Sequence, residues 1–175
     1  QQPIWTQQLG VFSIKEISTN IINSFLQKIP KKMALISLNL GETNFSESHQ
    51  LTSKTNLILK LNKPFEQLQT SFSSNTKRNC KKSRTEYLKI DFDNKNVDEF
   101  IQFFKENIQS PVSSFHFNSL TDLIKISIKK QKGCIVLIKH QDTIVATSFI
   151  LKSKNRLIYR TGASNEKGKK LKAMF

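Results

Sequence analysis

The residues best suited to chemistry lie in one short polar segment near the end of the sequence. The run Asn165-Glu166-Lys167-Gly168-Lys169-Lys170 follows an apolar stretch and precedes Leu171, where a helical pattern begins. A basic loop with a glycine at a helix N-terminus is suited to phosphate, because backbone N–H groups and the helix dipole both attract an anion. We therefore predict that Asn165, Lys167, Gly168, Lys169 and Lys170 bind the phosphates of a cofactor. The alternative is an ordinary solvated turn.

A second cluster of cations lies on a predicted helix in the middle of the chain. Lys77, Arg78, Lys81 and Lys82 are spaced so that all four fall along one side of that helix. Like charges at this density repel one another, so we predict an anion-binding or substrate-binding face. A nucleic acid, a lipid headgroup and a cofactor all fit the charge, and a merely solvated face is the alternative.

Other reactive side chains show no pattern that assigns a reaction. His49, His116 and His140 share no metal-ligand spacing, so we predict no metal site. Cys80 and Cys134 stand apart and form no Cys-x-x-Cys pair. We can name no catalytic base, and the catalytic residues stay unassigned.

The composition indicates a globular protein with an anionic partner. The 175 residues include 28 Lys and Arg against 13 Asp and Glu, for a formal net charge of +15. Hydrophobic residues make up 37% and include thirteen Phe, which is enough for a core. The sequence contains no signal peptide pattern and no apolar run of about 18 residues. We therefore predict a cytoplasmic protein with no integral membrane segment; the oligomeric state stays open.

Periodicity predicts alternating helices and strands of a mixed α+β fold, in which helices flank a largely antiparallel sheet. Asn96 with Glu99 and Ser119 with Asp122 have the spacing of capping boxes. Leu88, Ile90 and Phe92 alternate as the inward side of a strand. The predicted helices cover residues 18–29, 64–84 as one helix, and the stretches after Asn96 and Ser119; the predicted strands cover 33–40, 56–61, 87–92, 134–139, 143–151 and 156–160, with a polar loop at 41–55.

This order of elements resembles the first part of a GNAT acyltransferase domain. The residues that carry the resemblance are 64–68 (PFEQL), 75–82 (NTKRNCKK), 143–146 (TIVA) and 159–164 (YRTGAS). The chain also resembles the FemABX-like branch, in which two GNAT-like domains follow one another. Arg78 and Lys82 match the basic helix end of that branch. The resemblance implies that residues 1–55 are the C-terminal part of a first domain plus a linker. It implies that residues 56–175 are the N-terminal portion of a second domain, which we expect to continue beyond Phe175.

The resemblance also implies a function. GNAT enzymes transfer an acyl group from acetyl-CoA or another acyl-CoA to an amine acceptor, and FemABX-type enzymes use aminoacyl-tRNA as the donor. The phosphate loop matches the family pattern at the glycine of Asn165-x-x-Gly168-x-Lys170 and differs at both flanking positions. Residues 160–164 are then the expected source of N–H groups for the acyl carbonyl, and the general base is expected beyond Phe175. Two other functions stay open: a non-enzymatic basic module that binds RNA or an anionic surface, and a degenerate GNAT fold with a structural role.

Overall fold

The structure is a computed structural model that describes residues 5, 9–33, 38–41, 44, 46, 52, 54–92, 96–108 and 112–175. The predicted mixed α+β class is confirmed. The chain divides into two compact units, Gln1–Leu59 and Lys60–Phe175. The elements of the described residues are α1 Thr19–Gln27, α2 Phe65–Thr70, α3 Ser74–Thr85, β1 Lys89–Asp91, α4 Val97–Asn107, α5 Ser114–Lys129, β2 Gly133–His140, β3 Thr143–Ser153, β4 Arg156–Ser164 and α6 Glu166–Leu171.

The first unit is built around α1, which lies within the predicted helix 18–29 and buries Ile22. The side chain of Asn44 holds the backbone of Val11: Asn44 Oδ1 accepts from the Val11 N–H at 2.6 Å, and Nδ2 donates to its carbonyl at 3.1 Å. Residues 34–37 of the predicted strand 33–40, and most of the predicted loop 41–55, lie outside the described residues.

The strand predicted at residues 56–61 is wrong. These residues have no regular secondary structure, and Leu57, Ile58 and Leu59 are exposed. A strand is stable when a neighbour accepts its backbone hydrogen bonds. The structure gives this segment no partner among the described residues, so its alternating pattern buries nothing.

The second unit contains one antiparallel sheet in the order β1-β2-β3-β4. The strands predicted at 134–139, 143–151 and 156–160 are therefore confirmed, and they pair antiparallel in sequence order. Gln141 and Asp142 join β2 to β3 in left-handed conformations, with φ of 51° and 60°. Two such residues form the tight turn whose twist matches that of an antiparallel hairpin.

Helices α4 and α5 cover one face of this sheet, which we call the α4 face. Phe100 of α4 stacks on Phe104 at 5.9 Å and meets Phe149 of β3 edge to face at 6.5 Å. The buried apolar residues of the two helices are Val97, Phe100, Ile101, Phe104, Phe117, Leu120 and Ile124. Both predicted helices are confirmed, but the start predicted for α5 at Ser119 is wrong. Ser113 precedes the helix instead, because Phe117 extends the apolar stripe by one turn and packs on Phe104 at 6.2 Å.

The end of the chain covers part of the opposite face of the sheet, which we call the α6 face. Ala173 is buried there in a small apolar cluster with Val136 and Ala146. The predicted inward orientation of Ile90 and Phe92 is wrong, since these side chains are 59% and 67% exposed. Ile90 lies in β1, the short outer strand, and Phe92 follows it. Of the three residues predicted to point inward, the apolar cluster with Ala173 contacts Leu88.

The helix predicted over residues 64–84 is two helices. Helix α2 ends at Thr70, and Ser73 begins α3 by accepting a hydrogen bond from the Thr76 N–H at 3.2 Å. A serine at this position satisfies an N–H group that has no partner within the helix. The Arg84 guanidinium lies over the Phe65 ring at 5.7 Å, so the start of α2 contacts the end of α3.

Candidate functional site

The segment predicted as a phosphate loop is itself a helix. Strand β4 continues to Ser164, and α6 begins at Glu166, so Asn165 is the single connecting residue. The Asn165 side chain stabilises this sharp junction by two hydrogen bonds. Its Oδ1 accepts from the Gly168 N–H at 2.8 Å, and its Nδ2 donates to the Ile144 carbonyl at 3.3 Å. The predicted loop is thus replaced by a capped helix start tied to β3.

Gly168 lies in the first turn of α6 and is buried against β3. A Cβ at this position would collide with the backbone carbonyl of Val145. The glycine therefore permits close packing of helix on strand, and its N–H is already used by Asn165. The first turn leaves the N–H groups of Glu166 and Lys167 for an anion, because a helix supplies them no internal acceptor.

The lysines of α6 differ in what they contact. Lys169 Nζ donates to Glu166 Oε1 at 2.7 Å. This hydrogen bond and the charge of Lys169 hold the pKa of Glu166 below its ordinary value, with a smaller effect from Lys170. Lys167 and Lys170 are exposed. Any phosphate bound here would meet Lys167 and Lys170 first, since Lys169 is engaged by a carboxylate.

The four predicted cations of α3 are all exposed. Lys77 Nζ donates to the Thr70 carbonyl at 2.7 Å, and Arg78 donates to Asn75 Oδ1 at 2.9 Å. Across the part of the chain that the structure describes, none of Lys77, Arg78, Lys81 and Lys82 forms an ion pair with a carboxylate. Helix α3 itself contains no acidic residue. Its positive charge is therefore uncompensated, as an anion-binding face requires.

One hydrogen bond links the helix of the second predicted set to the end of the chain after α6. Asn79 and Ser83 form the buried side of α3, opposite its cations. Ser83 Oγ donates to the Phe175 carbonyl at 3.3 Å, just beyond α6. Helix α3 therefore lies beside the end of the chain that follows α6, although the predictions were made from segments some ninety residues apart.

Strand β4 contains a feature that the sequence pattern does not reveal. Tyr159 of β4 pairs with Ile150 of β3, and Thr161 pairs with the adjacent residue Phe149. Arg160, between Tyr159 and Thr161, is therefore an additional residue that forms a β-bulge. Such a bulge places an extra residue in one strand of the pair and changes the direction of nearby side chains. Burial lowers the pKa of Arg160 and raises that of Tyr159. Neither side chain was predicted as a site residue, and only the pairing register shows their position.

The described residues contain no group of three or more His, Cys, Asp and Glu side chains that could hold a metal ion. No helix within the described ranges is long and apolar enough to cross a bilayer. Comparison with protein-family models finds no match, and comparison with curated proteins finds none either.

Proposed function

We propose that the chain belongs to an acyl- or aminoacyl-transferase of the GNAT superfamily, of the FemABX-like type. The observation that carries the proposal is the bulged strand β4, which leads through a single residue into the exposed N-terminal turn of α6. An acyl donor lying along this strand would have its carbonyl near the bulge at Arg160 and its phosphates near α6. The order of strand, two helices, three strands and helix around it supports the same proposal.

The chemistry that this arrangement supports is direct transfer. The amine acceptor attacks the carbonyl carbon of a thioester or ester; a C–N bond forms, and the C–S or C–O bond of the donor breaks. Catalysis then depends on alignment of the two substrates and on an N–H group that stabilises the developing oxyanion. In this proposal, the backbone N–H groups of residues 160–164 are the source of such a group. The base that removes the amine proton stays unassigned.

The donor in this proposal is an acyl-CoA such as acetyl-CoA, or an aminoacyl-tRNA, and the setting is the cytoplasm. Both donors carry phosphates, for which Lys167 and Lys170 and the first N–H groups of α6 are available. The exposed cations of α3 would bind a larger anion, such as the tRNA backbone or a phosphorylated acceptor.

Thermal unfolding with acetyl-CoA tests the proposal, with ATP as a phosphate-bearing control. A ligand that binds the folded state raises Tm according to its concentration relative to Kd. We expect acetyl-CoA, or an alanyl-tRNA with a stable amide in place of its ester, to raise Tm where ATP does not. The double variant Lys167→Ala/Lys170→Ala should respond less, while Lys31→Ala/Lys32→Ala, an exposed pair in the other unit, should respond like the parent. The absence of a response to both donors would refute the transferase.

The uncompensated charge of α3 favours one second function, a non-enzymatic basic module that binds RNA or an anionic surface. We expect Lys81→Glu/Lys82→Glu to abolish binding of a labelled RNA and to remove most of its salt dependence, since each phosphate contact releases counterions. The matched reversal Lys31→Glu/Lys32→Glu makes the same change in net charge. This variant should retain RNA binding and the salt dependence of that binding. Equal losses in the two variants would show a general charge effect and refute a site on α3.

The third candidate is a degenerate GNAT fold with a structural role. It differs from the transferase because it catalyses no acyl transfer. Such a protein would bind a donor and consume none of it in the presence of any amine acceptor.

A further inference from the structure

The bulge in β4 brings together two residues that a regular strand would separate. Side chains three positions apart in a strand point to opposite faces of a sheet. Tyr159 pairs with Ile150 and Gly162 pairs with Ser148, and both partners lie on the α6 face because Phe149 between them points to α4. The additional residue Arg160 is the reason that Tyr159 and Gly162 share this face.

The phenol of Tyr159 extends along the strand until it lies over Gly162. A Cβ on Gly162 would be 2.6 Å from the Tyr159 hydroxyl oxygen and 2.5 Å from the Thr147 carbonyl oxygen. The Thr147 carbonyl and the Tyr159 hydroxyl therefore occupy the space that a side chain at position 162 would need, and the absence of a side chain lets the phenol lie close to the strand. Because β4 is the last strand of the sheet, this position lies at the sheet's outer edge.

The hydroxyl is available to a ligand. Tyr159 is 57% exposed, and among the described residues its hydroxyl has no hydrogen-bond partner. Burial of part of the ring disfavours the phenolate and raises the pKa of Tyr159, so the group is neutral at physiological pH and carries its proton. A neutral phenol whose hydroxyl has no hydrogen-bond acceptor can donate to a carbonyl oxygen.

We infer that Tyr159 is a substrate-binding residue whose O–H, held beside Gly162 at the outer edge of the sheet, donates a hydrogen bond to the acyl carbonyl of the donor. This inference rests on the proposed transferase and adds to it a residue that distinguishes the acylated donor from the free carrier. A purely structural role is the competing explanation, because an aromatic ring beside a strand glycine also shields the backbone. Phenylalanine would serve that structural role equally well.

Fluorine NMR of protein labelled with 3-fluorotyrosine tests the contact directly, since the chain contains two tyrosines. Tyr87 is 94% exposed and provides an internal reference. On titration with acetyl-CoA, or with the amide analogue of alanyl-tRNA, we expect the Tyr159 resonance to move and the Tyr87 resonance to stay. Free coenzyme A, or deacylated tRNA, should move the Tyr159 resonance much less.

The conservative variant Tyr159→Phe separates hydrogen bonding from ring packing. We expect the affinity for the acylated donor to fall about three- to tenfold, as for one neutral hydrogen bond, with Tm and the affinity for the free carrier unchanged. Tyr87→Phe should match the parent. An unmoved Tyr159 resonance with a donor that does raise Tm would overturn the inference and leave the transferase standing. Failure of both donors to bind would overturn the inference about Tyr159 and the proposed transferase together.

Discussion

Gly168 shows how one residue can have a role other than the one its motif predicts. The glycine of a phosphate loop is expected to let a ligand approach the backbone, but here the atom that approaches is the Val145 carbonyl of the neighbouring strand. A bulky side chain at this position would therefore disturb the fold before it disturbed any ligand. Donor binding at α6 is better tested at Lys167 and Lys170, which are exposed.

We predict that Gly168→Ala destabilises the protein by about 1–3 kcal/mol, the usual cost of forcing an additional carbon into a packed site. Helix propensity alone would make the alanine variant more stable by about 1 kcal/mol. The predicted change in the free energy of unfolding therefore has the opposite sign. Urea unfolding monitored by circular dichroism measures the difference. Gly41→Ala is the matched control, since nothing lies within 4 Å of a Cβ there. A Gly168→Ala variant as stable as the Gly41→Ala variant would contradict the close packing.

At the scale of elements, the junction of β4 with α6 depends on the side chain of Asn165. The two halves of its amide act on different elements, because Oδ1 caps the helix and Nδ2 reaches the Ile144 carbonyl of β3. The helix ends as sharply as it begins. Lys172 adopts a left-handed conformation at φ 60°, and the Ala173 N–H donates back to the Gly168 carbonyl at 2.9 Å. This motif turns the chain so that Ala173 packs on the sheet.

We predict that Asn165→Ala lowers the free energy of unfolding by about 1–2 kcal/mol, because it removes the cap and leaves a backbone N–H without its partner. Asn165→Asp should lose less, since a carboxylate still caps Gly168 and suits the positive end of a helix, but cannot donate to Ile144. Urea unfolding of the three proteins ranks them. If Asp and Ala are equally destabilising, the hydrogen bond to β3 matters more than the cap.

The elements that periodicity predicts well are those whose neighbours are close in sequence. The stripe of α4 and the β2–β3 hairpin depend on local spacing and a two-residue turn, and both form as predicted. The strand at residues 56–61 fails because alternation does not show whether a partner strand exists. The bulge at Arg160 is invisible for a related reason: it is a property of the pairing of β4 with β3, which a single strand's sequence does not contain. Tyr159 was overlooked on that account.

At the scale of the whole molecule, the net charge of +15 is a cost that acts on every part of the fold. Cations repel one another through water over about 30 Å at 0.01 M salt and about 8 Å at 0.15 M. Among the described residues, ion pairs such as Lys169 with Glu166 and Lys139 with Asp91 compensate few of these charges. A bound polyanion would relieve the repulsion, so stability and anion binding are linked in this protein.

We predict that Tm rises as NaCl is increased over that range, as measured by thermal unfolding. The double reversals Lys81→Glu/Lys82→Glu and Lys31→Glu/Lys32→Glu each replace two positive charges by two negative ones and lower the net charge from +15 to +11. Both should be more stable than the parent at low salt. The variant on α3 should gain more, because Lys81 and Lys82 each follow another cation by one helical turn. A gain confined to α3 would show that the repulsion is local to that helix, whereas a fall of Tm with salt would mean that attractive pairs outweigh it.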